Sequence, residues 1–333
     1  MAVRIGMMSF AHMHAYSYAH WVKQLEAQGK AVLVGVADDD AQRGQQVAQH
    51  YETRFFPSYE ALLDAGVDAV IICSENIKHR PLTEMAAKAG KHVLCEKPLA
   101  TTKADGKAMI EICRTNGVQL MTAFPCRFSP SYIRLKQMVQ DSELGEVLAI
   151  RGTNRGRNPG GWFIVPELSG GGAVIDHTVH VTDLCRDLLG SEVVEVYAEI
   201  GNGFCHGNFD DTGMLTLTFA NDVFATLDSS WSRPKVFPTW GDVTLQVVGT
   251  KGLVYMDMFA QNSTLYDDLN MRITLEHWGS SIDLGLVSAF VQSVQEGKPV
   301  PITGEDGLAA AEVAFAAYES AKRGEPVKLP LPD

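Results

Sequence analysis

Short apolar runs alternate with amphipathic stretches through the first 123 residues. Residues 3–8 predict a buried strand, 9–14 a turn, 15–27 a helix and 31–37 a second strand ending in Asp38-Asp39-Asp40. The alternation then repeats. Helices are expected over 41–51, 59–65 behind a Ser58 cap, 79–89 with Pro81 in the first turn and Gly90 at the end, and 103–115. Strands are expected over 54–56, 68–73, 91–95 and 118–123. Strands that alternate with helices imply a parallel, doubly wound α/β sheet.

After Ala123 the pattern changes. Residues 124–130 read as a linker and 131–141 as a helix. Strand patterns then dominate, over 147–153, 193–200, 213–219, 223–230, 243–248, 252–258 and 271–275, with a hairpin signal at Asn221-Asp222. One helix interrupts them at 172–189, and two close the chain near 282–295 and 307–323. The expectation is a first domain over 1–123 and a second, α+β domain over 124–333, built on an open, mostly antiparallel sheet with helices.

Composition narrows the classes. A chain of 333 residues that is 46% hydrophobic supports a large core, and its apolar runs are far short of a membrane span. The net charge of −12 argues against a nucleic-acid partner. Cysteines 73, 95, 113, 126, 185 and 205 form no CxxC pair, which points to a reducing, cytoplasmic setting without disulfides or a zinc ribbon. The N-terminus enters strand pattern directly, so no signal peptide is expected.

Three stretches carry candidate chemistry. The strand–turn–helix–strand–acid order of the first forty residues is that of a dinucleotide-binding unit. Asp38 suits a ribose 2′-hydroxyl and would repel a 2′-phosphate, which favours NAD over NADP; it would equally serve as the cap of the next helix. The glycine-rich fingerprint is absent: Ser9-Phe10-Ala11 occupies its first positions and His14 its third. The helix N-terminus is still an anion site.

Cys95-Glu96-Lys97-Pro98 places two charges at the carboxyl end of a strand, where open α/β sheets bind ligands. The X-Pro bond is the peptide for which cis is cheapest. A surface ion pair is the plainer account of these residues. In Gly170-Gly171-Gly172, followed by Asp176, His180 and Asp183 at i, i+4 and i+7, the polar groups share one helical face beside glycines that permit close approach. A helix N-terminus with a satisfied core histidine is the competing account. Asp176, His177 and His180, joined by His12 and His14, have metal-ligand chemistry, but no HExxH or Cys/His pair supports a metal and none is expected. Asn158 and Trp162 are candidates for lining a sugar site, with packing the simpler role for Trp162.

With Glu96-Lys97-Pro98 joined to Arg127-Phe128-Ser129-Pro130 and Gly171-Gly172-x-x-x-Asp176-x-x-x-His180, nearly the whole chain resembles the glucose–fructose oxidoreductase / inositol dehydrogenase (Gfo/Idh/MocA) family. The resemblance implies an N-terminal Rossmann domain and NAD(P)-dependent hydride transfer at a hydroxyl or carbonyl carbon of a sugar, inositol or related polyol. It places Lys97, Asp176 and His180 in the catalytic positions. Ser9, Phe10, Ala11, Asp38, Ser74, Asn76, His79, Glu96, Lys97 and Arg127 fall along the cofactor cleft. A histidine near its natural pKa would be the general base. NAD-dependent glycoside cleavage by oxidation and elimination, and a ligand-binding relative without turnover, are the alternatives. The expected partners are a small polyol or sugar and further copies of the chain, as a dimer or tetramer through the open sheet face.

Overall fold

The structure is a computed structural model that describes residues 1–277 and 280–332. Six parallel strands form the first sheet: β1 (Val3–Met8), β2 (Ala31–Ala37), β3 (Arg54–Phe56), β4 (Ala69–Ile72), β5 (His92–Cys95) and β6 (Leu120–Thr122), in the order β3-β2-β1-β4-β5-β6. The strand order reverses between β1 and β4, and that crevice is where such sheets bind ligands. Helices α1 (His14–Ala27), α2 (Ala41–His50), α3 (Tyr59–Leu63), α4 (His79–Lys88) and α5 (Lys103–Thr115) connect the strands.

Local caps explain most boundaries. Ser58 accepts from Ala61 N and Thr102 from Asp105 N, starting α3 and α5. The cap of α2 is Asp40, which accepts from Arg43 N, so Asp38 does not have the capping role. Helix α1 begins at His14, one residue earlier than expected. Ser9 lies at φ +70°, in the left-handed region usually left to glycine. The Lys97–Pro98 peptide is cis.

The expected linker is a 3₁₀ turn over Pro125–Phe128, leading into α6 (Pro130–Gln140). After it come β7 (Val147–Thr153), α7 (Pro166–Ser169), α8 (Ala173–Leu189), β8 (Val193–Gly201), β9 (Thr212–Phe219), β10 (Phe224–Asp228), β11 (Thr244–Gly249) and β12 (Leu253–Asp257). Then follow β13 (Asn262–Asp267), β14 (Arg272–His277), α9 (Ile282–Glu296), α10 (Gly304–Arg323) and β15 (Val327–Lys328). The second sheet runs β12-β11-β7-β10-β9-β8-β15, antiparallel except for β7 beside β10; β13 and β14 form a separate hairpin.

Helix α8 lies on one face of the second sheet. Its Val174, Val181, Leu184 and Leu188 share a core with Ile150, Leu215, Leu217, Leu227 and Leu245. The opposite face leaves Met214, Phe224, Leu253 and Tyr255 exposed. Helices α9 and α10 return to the first sheet: Leu286, Val287, Phe290, Ala310 and Ala311 pack with Tyr18, Ala19, Val22 and Met121. The backbone at Ile302 accepts from Thr122 N and covers the β6 edge. No helix among the described residues is long and apolar enough to cross a membrane.

Candidate active site

Helix α8 is buried on every side from Ala173 to Cys185, yet it carries Asp176, His177, His180 and Asp183. Charged residues are rarely buried without partners, so each of these must have a local account. The glycines before α8 admit other parts of the chain. A Cβ on Gly172 would collide with the Asp210 carbonyl, and one on Gly171 with the Tyr318 hydroxyl. Asp210 accepts from Gly172 N at 2.8 Å and Val174 N at 2.7 Å, and Tyr318 donates to it at 2.8 Å. A carboxylate from a distant loop therefore caps α8.

From that fixed helix end, Asp176 meets Lys97. Lys97 Nζ lies 2.6 Å from Asp176 Oδ1 and 3.3 Å from its carbonyl oxygen, and both side chains are almost fully buried. Trp231 Nε1 donates to Asp176 Oδ2 at 3.3 Å. His177 Nε2 stands 3.2 Å from the same oxygen without hydrogen-bond alignment. Burial alone would raise the Asp176 carboxyl, but Lys97 and His177 hold it well below the usual range, so it is ionised. Burial pushes His180 well below its ordinary value; Lys97 adds to this and Asp176 opposes it. His180 is therefore neutral at neutral pH, and does not titrate there as a histidine near its natural pKa would. Its Nδ1 faces Cys126 Sγ at 3.8 Å.

Glu96 is fully buried behind Lys97. It accepts from Lys97 N at 2.8 Å, and His14 Nδ1 lies 2.9 Å from its other oxygen. Burial would raise Glu96, but His12, His14 and Lys97 hold it far below the usual range. Burial lowers His12 to about 3. Burial would also lower His14, but Glu96 outweighs it and raises the group. His12, His14 and Glu96 each bring one potential ligand atom within 4.8 Å of the others. The 2.9 Å between His14 and Glu96 is a hydrogen-bond distance, shorter than the about 3.3 Å between two ligands of a tetrahedral ion.

Most N–H groups of the turn from Ser9 to His14 are already hydrogen-bonded within the protein. The N–H groups of Ser9, Phe10, Ala11, His12 and His14 donate to Ala37 O, Asp38 Oδ2, Ser9 Oγ, Cys73 O and His12 Nδ1. Asp38 also accepts from Asp40 N and takes a bidentate contact from Arg43, which fills all four acceptor sites. Ser74 Oγ donates to Glu75 O. Asn76 gives its amide to Ser169 O, leaving Oδ1 without a partner, and His79 leaves Nε2 without one. Those two orphaned buried polar atoms follow β4 at the crevice, where a polar cofactor fits.

A cleft of about 680 Å³ opens on Lys97, Asp176 and His180, bounded by His12, Asn154 and Trp240. Arg127 is not among its walls: its guanidinium grips Asp183 at 2.6–2.7 Å and reaches Asp187 at 3.2 Å, tying the 3₁₀ turn to α8. Asn158 instead bonds Cys205 Sγ, and Trp162 Nε1 donates to Ala11 O across the domains. Sequence reasoning passed over Trp231, Asn154 and Trp240, which fall in irregular segments, and Cys126 in the 3₁₀ turn, none with a spacing to single it out.

Residues 3–124 match the oxidoreductase family with NAD-binding Rossmann fold, and 132–255 match the GFO/IDH/MocA C-terminal domain. The chain belongs to the Gfo/Idh/MocA family. Among its relatives, the oxidoreductase YrbE of Bacillus subtilis is 30% identical over 89% of each chain. The myo-inositol 2-dehydrogenase of Thermotoga maritima is 29% identical over 98% of each. The fold of GenD2 from gentamicin A biosynthesis, solved in complex with NAD, superposes with a TM-score of 0.91 at 25% identity, over 99% of this chain and 97% of that one. As a Gfo/Idh/MocA protein the chain is an oxidoreductase with an NAD-binding domain.

Proposed function

We propose that the protein moves a hydride between NAD and one hydroxyl or carbonyl carbon of a sugar, inositol or related polyol. The observation that carries this reading is the meeting of Lys97 with Asp176, and of both with His180, in one cleft fed by two sheets. The turn Ser9-Phe10-Ala11, Asp38, Ser74, Asn76, His79 and Glu96 would hold the dinucleotide. Bound NAD supplies the hydride acceptor. His180, neutral by burial, takes the hydroxyl proton during oxidation. Lys97 faces the developing alkoxide and stabilises its charge. Asp176, fixed by the cap of α8 and by Trp231, orients Lys97. The inositol dehydrogenase named above acts on a polyol of this class.

A panel of sugars, inositols and sugar acids, read by NADH absorbance, tests the reaction. Lys97→Met should bind NAD yet lose about 10²–10³-fold in kcat, the usual effect of removing one oxyanion stabiliser. Near wild-type turnover by that variant would refute the mechanism, and a tightly held cofactor without net NADH would favour oxidation–elimination instead.

NAD should bind more tightly than NADP, the ribose hydroxyl displacing one of the four hydrogen bonds that fill Asp38. Arg43 already neutralises that carboxylate, so the preference should be about tenfold, or about 1.4 kcal/mol. The internally used N–H groups of the turn imply modest affinity. Titration calorimetry with both dinucleotides decides, and tighter NADP binding would remove Asp38 from the ribose site. The exposed row of Met214, Phe224, Leu253 and Tyr255 favours self-association through the open sheet. A monomer by sedimentation at micromolar concentration would count against it.

A further inference from the structure

A glycine-rich turn offers its own amides to a pyrophosphate. Here the amides of Ser9, Phe10, Ala11, His12 and His14 all donate within the protein. Helix α1 still begins at that turn, beside the crevice between β1 and β4, and its first turn favours an anion. An anion held there has to find its donors on side chains.

His12 carries one. Its ring is 2% exposed, and Nδ1 accepts from His14 N at 3.2 Å. Burial holds the group down to about 3, so the ring is neutral. A neutral imidazole that accepts at Nδ1 has its proton on Nε2. That Nε2 has no partner. Phe163 and Trp162 stand beside the ring, with centroids 5.2 and 6.0 Å away, and supply no acceptor: Phe163 is apolar, and Trp162 Nε1 is a donor committed to Ala11 O. Glu96 Oε1 lies off the other edge, 3.9 Å from Nδ1. A buried donor left over in this way costs free energy until an acceptor arrives. The bond from His14 N also polarises the imidazole, so the ring carries the donor character of the helix end outward to Nε2.

His14 reinforces the same end. Its ring lies 4.4 Å from that of His12, centroid to centroid, and both line the cleft that holds Lys97. His14 Nδ1 is turned to Glu96, which leaves Nε2 on the opposite edge. Burial works against a charge on His14, but Glu96 outweighs it and raises the group.

We propose that His12 Nε2–H binds the pyrophosphate of the dinucleotide, with His14 beside it, in place of the amides of a glycine-rich turn. This rests on the NAD reading above and adds to it the side chain that replaces the missing fingerprint.

The test is titration calorimetry of the full chain with NAD and with ADP-ribose, which keeps the pyrophosphate and lacks the nicotinamide. His12→Phe keeps the bulk of the ring and removes the donor. It should weaken both ligands by the same factor, about tenfold or more, as for a hydrogen bond to a charged group. His12→Gln restores an amide donor and should stay within about threefold of wild type. Two-bond proton–nitrogen NMR spectra of histidine-labelled wild type give a second reading that needs no variant to fold. His12 should show the Nε2–H tautomer, and ADP-ribose should move that proton downfield. A loss for NAD with ADP-ribose unchanged would assign the donor to the nicotinamide end and overturn the pyrophosphate contact. Equal affinities of wild type and His12→Phe would overturn it too, as would an Nε2–H signal that saturating ADP-ribose leaves in place. Wild type that binds neither ligand overturns the NAD reading itself, and this inference with it.

Discussion

Lys97→Met keeps most of the side-chain volume and removes the ammonium 2.6 Å from Asp176 Oδ1. Asp176 is 5% exposed, so its carboxylate would keep one hydrogen-bond donor, Trp231 Nε1 at 3.3 Å. Breaking a buried pair by removing one partner costs about 3–5 kcal/mol, whereas replacing both partners is often near neutral. At pH 8 the variant should therefore lose about 3–5 kcal/mol of unfolding free energy, and Asp176→Asn a similar amount. The double variant should lose no more than either single change, a coupling of at least about 3 kcal/mol.

The pH dependence has a definite sign. In wild type the folded Asp176 carboxyl sits below its unfolded value, so its stabilising contribution is present above the unfolded pKa of about 4 and lost as pH falls through the folded one. Without Lys97 burial dominates, and the folded value rises above the unfolded one. The charge then costs stability at high pH, and protonation relieves that cost as pH falls. The gap between wild type and Lys97→Met should narrow from pH 8 to pH 5. Urea unfolding of the four proteins at both pH values measures it. A coupling below about 1 kcal/mol, or a gap that does not change with pH, would refute the buried-pair account.

Three further outcomes are expected. Gly172→Ala would drive its Cβ into the Asp210 carbonyl and should cost about 1–3 kcal/mol or more, seen as a lower urea midpoint. His12, held down to about 3 by burial, stays neutral in the folded protein while the unfolded chain takes up its proton below about 6.5, so its contribution is lost as pH falls. The stability of wild type relative to His12→Gln should drop by about 2 kcal/mol between pH 7 and pH 5; an unchanged difference would show that His12 titrates normally. Because His180 is neutral well below its usual range, kcat/KM for oxidation should stay flat from pH 8 to pH 6, and an acid limb centred near 6.5 would contradict that burial.

The first sheet was legible because its strands are buried on both faces and three of its five helices, α2, α3 and α5, start at short-range caps. Thr102 marks α5 to the residue, and β2 and β3 fall where the apolar runs stand. Strands β13 and β15 were not anticipated: one lies in a polar hairpin, and the other is two residues that pair with β8 only through tertiary packing. The trio Lys97, Asp176 and His180 was legible as chemistry on a strand end and a helix face. What Asp38 and Arg127 would touch was not. Arg43 and Asp183 engage them through geometry that no local spacing encodes. The triple glycine was readable as a site of close approach, but what approaches is Asp210 and Tyr318, supplied by a distant loop and the last long helix.

The return of α9 and α10 to the first sheet bears on how the chain is made. Leu286, Phe290, Ala310 and Ala311 complete the core around Tyr18, Val22 and Met121. They are synthesised well over 150 residues after the last strand of that sheet, a delay of about 10–40 s at ribosomal rates. For that interval the nascent nucleotide-binding half carries an uncovered apolar flank on α1 and an unpaired β6 edge. Both are surfaces a chaperone would shield. A ribosome stalled before Ile282 would display a half that is sticky and protease-sensitive, and translation through α10 would bury it.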